Sequence, residues 1–199
     1  MKEIRLHGRA GQGMVTGAEL IALAAHYEGK HSQAFPFFGS EKRGPPVEAY
    51  CRIDDKPFLI HEEIAQPDVV IVGDSSILDA VDVCKGLRAD GVVIVNSRKS
   101  ASDLRLNAKN VYTVNATEVA LNHFKKLILN TVMLGAFCKV TGIVRLASVQ
   151  KAIRESLSSL PAPLIEANVK AIEEVYNLMA CSAPAAKAPV VAKTGRKRK

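Results

Sequence analysis

The stretch Lys2–Gly17, KEIRLHGRAGQGMVTG, constrains the fold most strongly, because it predicts a strand, a glycine-rich turn and a helix in immediate succession. Ile4 and Leu6 alternate with charged neighbours, as in a half-buried strand, and Ala18–Tyr27 is rich in Ala and Leu, as in a helix. Glycines allow positive φ and close approach of a ligand, and free N–H groups at a helix start favour an anion. The stretch therefore predicts a site for a phosphate-type group, with a purely structural turn as the alternative.

The spacing of the glycines argues against a dinucleotide site. Gly11, Gly13 and Gly17 give G-x-G-x-x-x-G, one residue longer than the dinucleotide fingerprint. The next predicted strand, Ser32–Phe35, is followed by no carboxylate before Glu41, although an acidic residue normally holds the ribose there. The chain also lacks the G-x-x-x-x-G-K-[ST] pattern of a P-loop. The candidate binding residues of the turn are Gly8, Arg9, Gly11, Gln12 and Gly13.

A second loop, Pro36–Pro46, is too rich in proline and glycine to form regular structure. Its sequence, PFFGSEKRGPP, places Lys42 and Arg43 close to Ser40. Loops of this kind within a compact domain often serve a site, so these three residues are further candidates for binding an anion. An ordinary solvated connection is the alternative.

Two continuous apolar runs predict parallel strands that are buried on both faces. They are Asp68–Gly73, DVVIVG, and Gly91–Asn96, GVVIVN. A short helix capped by Ser75 or Ser76 and reaching Val83 is expected between them, which gives a β-α-β crossover. The chain as a whole predicts an α/β fold, a Rossmann-like and mostly parallel sheet with flanking helices and a C-terminal helical segment.

The same periodicities predict the remaining elements. Val47–Ile53 alternates as a strand, and Pro57–Ile60 is expected to pair with it as a hairpin. Asn110–Val114 is a further strand. The other helices are predicted at Thr117–Phe124, Thr131–Val140, Leu146–Leu157 and Leu164–Met179.

Two polar residues lie beside predicted strands at the sheet edge where such folds bind ligands. Asp74 follows a strand at its carboxyl end, where it is expected either to converge with the glycine turn or to cap a helix. His7 precedes the turn and has no partner near it in sequence, so it is predicted to be structural.

The net charge of +7 comes almost entirely from the C-terminus. Residues 182–199 contain six basic and no acidic residues and are rich in Ala, Pro and Lys, so they predict a disordered basic tail after a domain spanning residues 1–181. The nearly neutral domain argues against nucleic-acid binding. The lack of a long apolar run or an apolar N-terminal core predicts a soluble, cytoplasmic chain without membrane partners.

Cysteine and histidine spacing offers no catalytic or metal-binding constellation. The four cysteines include no C-x-x-C pair, and the five histidines show no paired ligand spacing. Cys51 has no base near it in sequence and is not expected to act as a nucleophile. The sequence therefore predicts no catalytic residue and no metal ligand in this chain, and favours a binding module that serves chemistry carried out elsewhere.

Four segments together carry a family resemblance. HGRAGQG before a helix, QAFPFFGSEKRGPPVEAYCRI, PDVVIVGD and NTVMLGAFCKVTGIV occur in this order between Ile4 and Met179. The chain resembles the gamma subunit of 2-oxoacid:ferredoxin oxidoreductases, the pyruvate synthase group. It departs from the family at Val132, where a proline often stands, and packing alone is expected to change.

The resemblance implies a multi-subunit enzyme that oxidatively decarboxylates a 2-oxoacid, pyruvate first among the candidates, to its acyl-CoA. It implies alpha, beta and delta-type partner subunits that carry thiamine diphosphate, Mg and [4Fe-4S] clusters, and ferredoxin or another acceptor that receives the electrons. The gamma chain is expected to pack over the active site and to help bind coenzyme A. The alternatives are a purely architectural subunit, the equivalent subunit of a phenylglyoxylate or 2-oxoglutarate enzyme, and a stand-alone dinucleotide-dependent reductase.

On this interpretation the two loops share a ligand. The amides of Gly8, Gly11 and Gly13, together with Arg9, are expected to cradle phosphates of coenzyme A through charge-assisted hydrogen bonds. The cations of the second loop would pair with a further phosphate or fix that loop against a neighbouring subunit.

Overall fold

The computed structural model of the protein describes residues 1–37 and 46–179. The predictions for Ser40, Lys42 and Arg43 and for the tail 182–199 therefore lie outside the described residues. The strands are β1 (Lys2–Arg9), β2 (His31–Phe37), β3 (Pro46–Asp54), β4 (Val69–Val72), β5 (Val92–Asn96) and β6 (Asn110–Val114). The helices are α1 (Met14–Tyr27), α2 (Ala116–Phe124), α3 (Leu129–Thr141), α4 (Leu146–Ser156) and α5 (Ala162–Met179).

The strands form one sheet in the order β2-β3-β1-β4-β5-β6. Strands β1, β4, β5 and β6 are parallel neighbours, whereas β3 runs antiparallel to both β1 and β2. The mostly parallel α/β fold predicted from the sequence is confirmed. Its consequence is that four parallel strands end at one edge of the sheet, where the glycine turn also lies.

Alternation along β1 directs apolar side chains to one face of the sheet and polar side chains to the other. Ile4 and Leu6 are buried in the core that the helices cover. Arg5 and His7 point to the opposite face, where both are buried as well. The apolar runs of β4 and β5 contribute to both faces, which is why they contain no alternating polar residues.

Helix α3 forms the centre of the helical layer. It is buried over most of its length, and it packs against α1, α2, α4 and α5. Gly135 lets α3 approach α5 closely, because a Cβ atom there would lie 2.2 Å from the carbonyl oxygen of Ile172 on α5. None of the helices in the described part of the chain has both the length and the apolarity needed to cross a membrane.

The observed bounds of α1 and β2 differ from the predicted ones. Helix α1 begins at Met14, not at Ala18, so Gly17 lies within it. Strand β2 continues through Pro36 and Phe37, which the sequence placed in an irregular loop. The proline is tolerated because β2 is an edge strand, where a missing N–H interrupts no second ladder.

Two connections also differ from expectation. Pro57–Ile60 is not a strand: Leu59 is 93% exposed, and the carbonyl of Ile60 accepts from Nη1 of Arg52 at 3.5 Å instead of from a neighbouring strand. The expected helix after β4 is a single 3-10 turn, Ser75–Ile77, and its cap is Asp74, not a serine. The parallel pairing of β4 and β5 that this helix was expected to support is nevertheless present.

Candidate functional site

The glycine turn connects β1 to α1 with two residues in the left-handed region. Gly11 has φ +83° and Gly13 has φ +72°, and the N–H of Gln12 donates to the carbonyl of Arg9 at 3.1 Å. A Cβ atom at Gly11 would meet nothing within 4 Å, so the backbone conformation alone requires glycine there. At Gly13 a Cβ atom would also lie 2.6 Å from Nδ2 of Asn130.

Helix α1 begins without a side-chain cap. Gly13 occupies the cap position, and no side chain in the described part of the chain accepts a hydrogen bond from the first helical amides. The first intrahelical bond is donated by the N–H of Gly17 to the carbonyl of Gly13 at 2.9 Å. The positive end of the helix dipole therefore coincides with the turn, an arrangement that favours an anion.

Asp74 converges with the glycine turn, as one of the two sequence interpretations predicted. Its Oδ2 accepts from Nε2 of Gln12 at 2.9 Å and lies 3.4 Å from Nε of Arg9. Its Oδ1 accepts from the N–H of Ser76 at 2.9 Å, so it also serves as a cap. Partial burial favours a higher pKa for Asp74, but the hydrogen bonds from Ser76 and Gln12 and the charge of Arg9 outweigh it and lower the pKa.

Gln12 and Ser76 hold Arg9 from both sides. Oε1 of Gln12 accepts from the main-chain N–H of Arg9 at 2.8 Å. The guanidinium of Arg9 donates from Nε and Nη2 to Oγ of Ser76 at 3.0 and 2.8 Å. The turn and the end of β4 thus form one polar cluster, although about 65 residues of sequence separate them.

Gly8 has a different environment from the other glycines of the turn. It lies within β1 opposite Val47, and a Cβ atom there would be 2.7 Å from Cγ of Met14. A Cβ atom at Gly73, at the end of β4, would be 2.8 Å from Cε of the same methionine. The buried side chain of Met14 therefore fills the crevice between β1 and β4, the position where Rossmann-like folds bind dinucleotides.

His7 is buried behind the turn, as predicted for a structural residue. Its Nδ1 lies 3.5 Å from Oε1 of Glu48, whose Oε2 accepts from the hydroxyl of Tyr50 at 2.7 Å. Neither ring nitrogen has a hydrogen-bond partner among the described residues. Burial lowers the pKa of His7 to about 4, more than the neighbouring Glu48 raises it.

The buried His7 is expected to make the folded chain less stable at acidic pH. The pKa of His7 rises from about 4 in the folded chain to its ordinary value of 6.5 on unfolding, so the unfolded chain binds the proton more tightly. We expect the free energy of unfolding to fall by up to about 3 kcal/mol as the pH drops from 6.5 towards 4. Denaturant titrations across this range should show that loss in the unsubstituted chain and only a small part of it in His7→Gln.

The matched control is His26→Gln, because His26 is exposed on α1. Its pH dependence should equal that of the unsubstituted chain. An equal acid loss in His7→Gln would show that other groups destabilise the protein at low pH.

Of the three cysteines in the described part of the chain, Cys51 and Cys138 are buried and Cys84 is half-buried. Burial raises the pKa of Cys51, that of Cys84 to about 11 and that of Cys138 to about 12, which keeps all three protonated near neutral pH. Cys51 is therefore unsuited to nucleophilic attack. Among residues 1–37 and 46–179, no three His, Cys, Asp or Glu side chains come together as they would around a metal ion.

The structure brings two asparagines to this sheet edge that the sequence analysis did not single out. Nδ2 of Asn96, at the end of β5, donates to the carbonyl of Gly73 and to Oγ1 of Thr117, both at 2.9 Å. A polar residue ending an apolar strand was the available signal for Asn96. Asn130 packs on Gly13 from α3, and no local pattern indicates that contact.

The fold and the site define a Rossmann-like α/β protein with a candidate anion site at the carboxyl ends of its parallel strands. The family model described as pyruvate ferredoxin/flavodoxin oxidoreductase matches residues 3–178. The common gamma subunit of pyruvate/ketoisovalerate oxidoreductases from Thermococcus kodakarensis is 51% identical over 181 residues, which cover 89% of this chain and 96% of that relative. Pyruvate synthase subunit PorC from Methanocaldococcus jannaschii is also 51% identical, over 90% of this chain and 97% of its own.

A solved structure of a further relative has the same fold. The pyruvate oxidoreductase subunit PORC of Thermotoga maritima superposes with a TM-score of 0.77 at 39% identity, covering 88% of this chain and 95% of its own. The chain belongs to the pyruvate ferredoxin/flavodoxin oxidoreductase family. It is a gamma-type subunit of a 2-oxoacid:ferredoxin oxidoreductase, which confirms the resemblance found in the sequence.

Proposed function

We propose that this subunit binds the phosphates of coenzyme A at the glycine turn of an enzyme that converts pyruvate to its acyl-CoA. The observation that carries the proposal is the start of α1, whose first amides have no side-chain cap and which follows a turn containing Arg9 and the left-handed Gly11 and Gly13. Coenzyme A carries a pyrophosphate and a ribose phosphate, and both are suited to amide and guanidinium donors.

Features of the turn beyond its charge also support this proposal. The side chain of Arg9 is about half exposed, at 47%, so its guanidinium is accessible from solvent. Open space surrounds the position of a Cβ atom at Gly11, which leaves room for a ligand to approach the main chain. Gln12 holds the turn in shape, whereas the amide of Gly8 belongs to a strand.

The rest of the enzyme is assigned to other subunits in this proposal. Thiamine diphosphate, Mg and the [4Fe-4S] clusters would be carried by alpha, beta and delta-type partners, and ferredoxin would take electrons from the complex. In the described part of this chain the three cysteines lie apart from one another, which offers no ligand set for a cluster. Pyruvate is favoured because the pyruvate synthase subunit from Methanocaldococcus jannaschii is 51% identical to this chain.

A more distant structure has the same fold in an enzyme with related ligands. Part of the 2-oxoglutarate:ferredoxin oxidoreductase from Magnetococcus marinus, solved with 2-oxoglutarate, coenzyme A and succinyl-CoA bound, superposes with a TM-score of 0.71. The match covers 92% of this chain and 32% of that one at 15% identity, so it supports the fold alone. The assignment of coenzyme A to this chain rests on the turn.

The test is steady-state kinetics of the assembled enzyme with Arg9→Ala or Gly11→Val. We expect the KM for coenzyme A to rise about tenfold or more, because each change removes or blocks charge-assisted hydrogen bonds worth roughly 1.5–3 kcal/mol. The KM for pyruvate should stay within about twofold, since these interactions are made to the other substrate. Assays with 2-oxoglutarate and phenylglyoxylate in place of pyruvate test the choice of 2-oxoacid.

Arg154→Ala is the matched control, because Arg154 is equally exposed but pairs with Glu166 between α4 and α5. It should leave both Michaelis constants unchanged. Unchanged values for coenzyme A in both turn variants would refute the cradle.

A purely architectural role is the second candidate, and two contacts favour it. Met14 already fills the crevice beside the turn, and Arg9 is already bonded to Ser76. In that case the turn variants would lower the yield of assembled complex and leave the KM for coenzyme A unchanged in the complex that forms.

A further inference from the structure

We propose that Asp74 is a positioning residue for the anion-binding turn. Together with Ser76, its carboxylate fixes Arg9 and the main chain of the turn in the arrangement that receives coenzyme A. The inference rests on the proposed function, because it describes how that same site is held ready.

Both carboxylate oxygens of Asp74 accept hydrogen bonds. Oδ1 of Asp74 accepts from the N–H of Ser76 and fixes the end of β4, while Oδ2 accepts from Nε2 of Gln12 on the turn. The Asp74 side chain therefore links the glycine turn to the loop after β4, although these two segments lie far apart in the sequence. The main-chain bond between Gly73 N–H and the carbonyl of His7, at 2.8 Å, fixes the two strands immediately before these loops.

The side chain of Gln12 links Asp74 to the main chain of the turn. Its Nε2 is held by Asp74, and its Oε1 accepts from the N–H of Arg9 at 2.8 Å. Within the turn itself the main chain contributes one further bond, from the N–H of Gln12 to the carbonyl of Arg9. The shape of the turn thus depends on a side chain that Asp74 orients.

The guanidinium of Arg9 is held in place by Ser76. Nε and Nη2 of Arg9 donate to Ser76, and Nη1 has no hydrogen-bond partner among the described residues. An exposed arginine that is already ordered loses less conformational entropy when it binds a phosphate. The carboxylate of Asp74 does not cancel this advantage, because the pair is partly exposed and solvent screens their attraction.

The test compares Asp74→Ala and Ser76→Ala in the assembled enzyme. We expect each to raise the KM for coenzyme A roughly fivefold, with kcat at saturating coenzyme A and the KM for the 2-oxoacid within about twofold. Ser76→Thr keeps the hydroxyl acceptor and should restore the KM for coenzyme A. Asp79→Ala removes an exposed carboxylate from the same connection and should change nothing.

A double substitution separates positioning from general stabilisation. Once Arg9→Ala has removed the guanidinium, adding Ser76→Ala should raise the KM for coenzyme A little further, because the two residues act through one contact. Calorimetric titration of the assembled enzyme with coenzyme A, without 2-oxoacid, should likewise show that the Kd for coenzyme A is little higher in the double variant than in Arg9→Ala. Fully additive effects would overturn the inference.

The remaining outcomes distinguish this inference from the proposed function. If Arg9→Ala and Gly11→Val both leave the KM and Kd for coenzyme A unchanged, the proposed function is wrong and the inference with it. If only Arg9→Ala leaves them unchanged, the inference alone is wrong. If Arg9→Ala weakens coenzyme A binding but Asp74→Ala does not, the inference alone is wrong. If Asp74→Ala prevents assembly, Asp74→Asn decides, because it keeps the size of the side chain but replaces one of the two acceptor oxygens with a donor and should still raise the KM for coenzyme A.

Discussion

Gly135→Ala is expected to destabilise the chain by roughly 3 kcal/mol and to lower its Tm by about 10 °C. The added methyl group would lie 2.2 Å from the carbonyl oxygen of Ile172 and 3.0 Å from the N–H nitrogen of Tyr176. Both atoms belong to the main chain of α5, so α3 and α5 must separate to admit it. The better helix propensity of alanine offsets only about 1 kcal/mol of this cost. Thermal unfolding followed by circular dichroism measures the change.

Gly142→Ala is the matched control at the C-terminal cap of the same helix. Gly142 has φ +61°, and a Cβ atom there would meet nothing within 4 Å. Its cost should be about 1 kcal/mol, from backbone conformation alone. Equal stability losses in the two variants would show that α3 and α5 do not cross as closely as the structure indicates.

Arg52→Met should destabilise the chain by about 3–5 kcal/mol, because it breaks a buried ionic network. The Arg52 side chain is 2% exposed and donates from Nε to Oε1 of Glu3 at 3.0 Å and from Nη2 to the carbonyl of Glu63 at 3.2 Å. Methionine replaces much of the volume but leaves these acceptors without their donor. Urea denaturation should show the loss as a lower midpoint with a similar slope.

The corresponding surface change provides the comparison. Arg154→Ala removes an exposed arginine from its pair with Glu166 and should cost less than about 1 kcal/mol. If both arginine variants lose the same small amount of stability, Arg52 does not anchor residues 60–63 to the sheet.

The local sequence predicted most of the elements because each has a strong period of its own. The runs VVIV and VVIVN have no polar alternation, so they indicated strands covered on both faces, and they are the parallel strands β4 and β5. The glycine turn was likewise predictable, because few other residues adopt positive φ. Most errors fell at the ends of elements and in the connections between strands. At Pro57–Ile60 the apolar stretch was short, and a hairpin there also requires a partner strand.

The candidate site was predicted only in part. Arg9, Gly11, Gln12 and Gly13 lie together in the turn, and Asp74 joins them. Gly8 shares their sequence motif, but in the fold its lack of a side chain makes room for Met14. Periodicity cannot show this, because the direction in which Met14 points depends on where α1 begins.

The sequence by itself determined most of the strands and helices, the parallel core of the sheet and the position of the glycine turn. These follow from local backbone preferences and from the pattern of apolar residues. Only the tertiary structure decided that Asp74 and Ser76 hold Arg9, that Met14 fills the crevice and that Asn130 packs on Gly13. Such contacts join residues from different elements, and they form only when the strand order and helix packing bring those elements together.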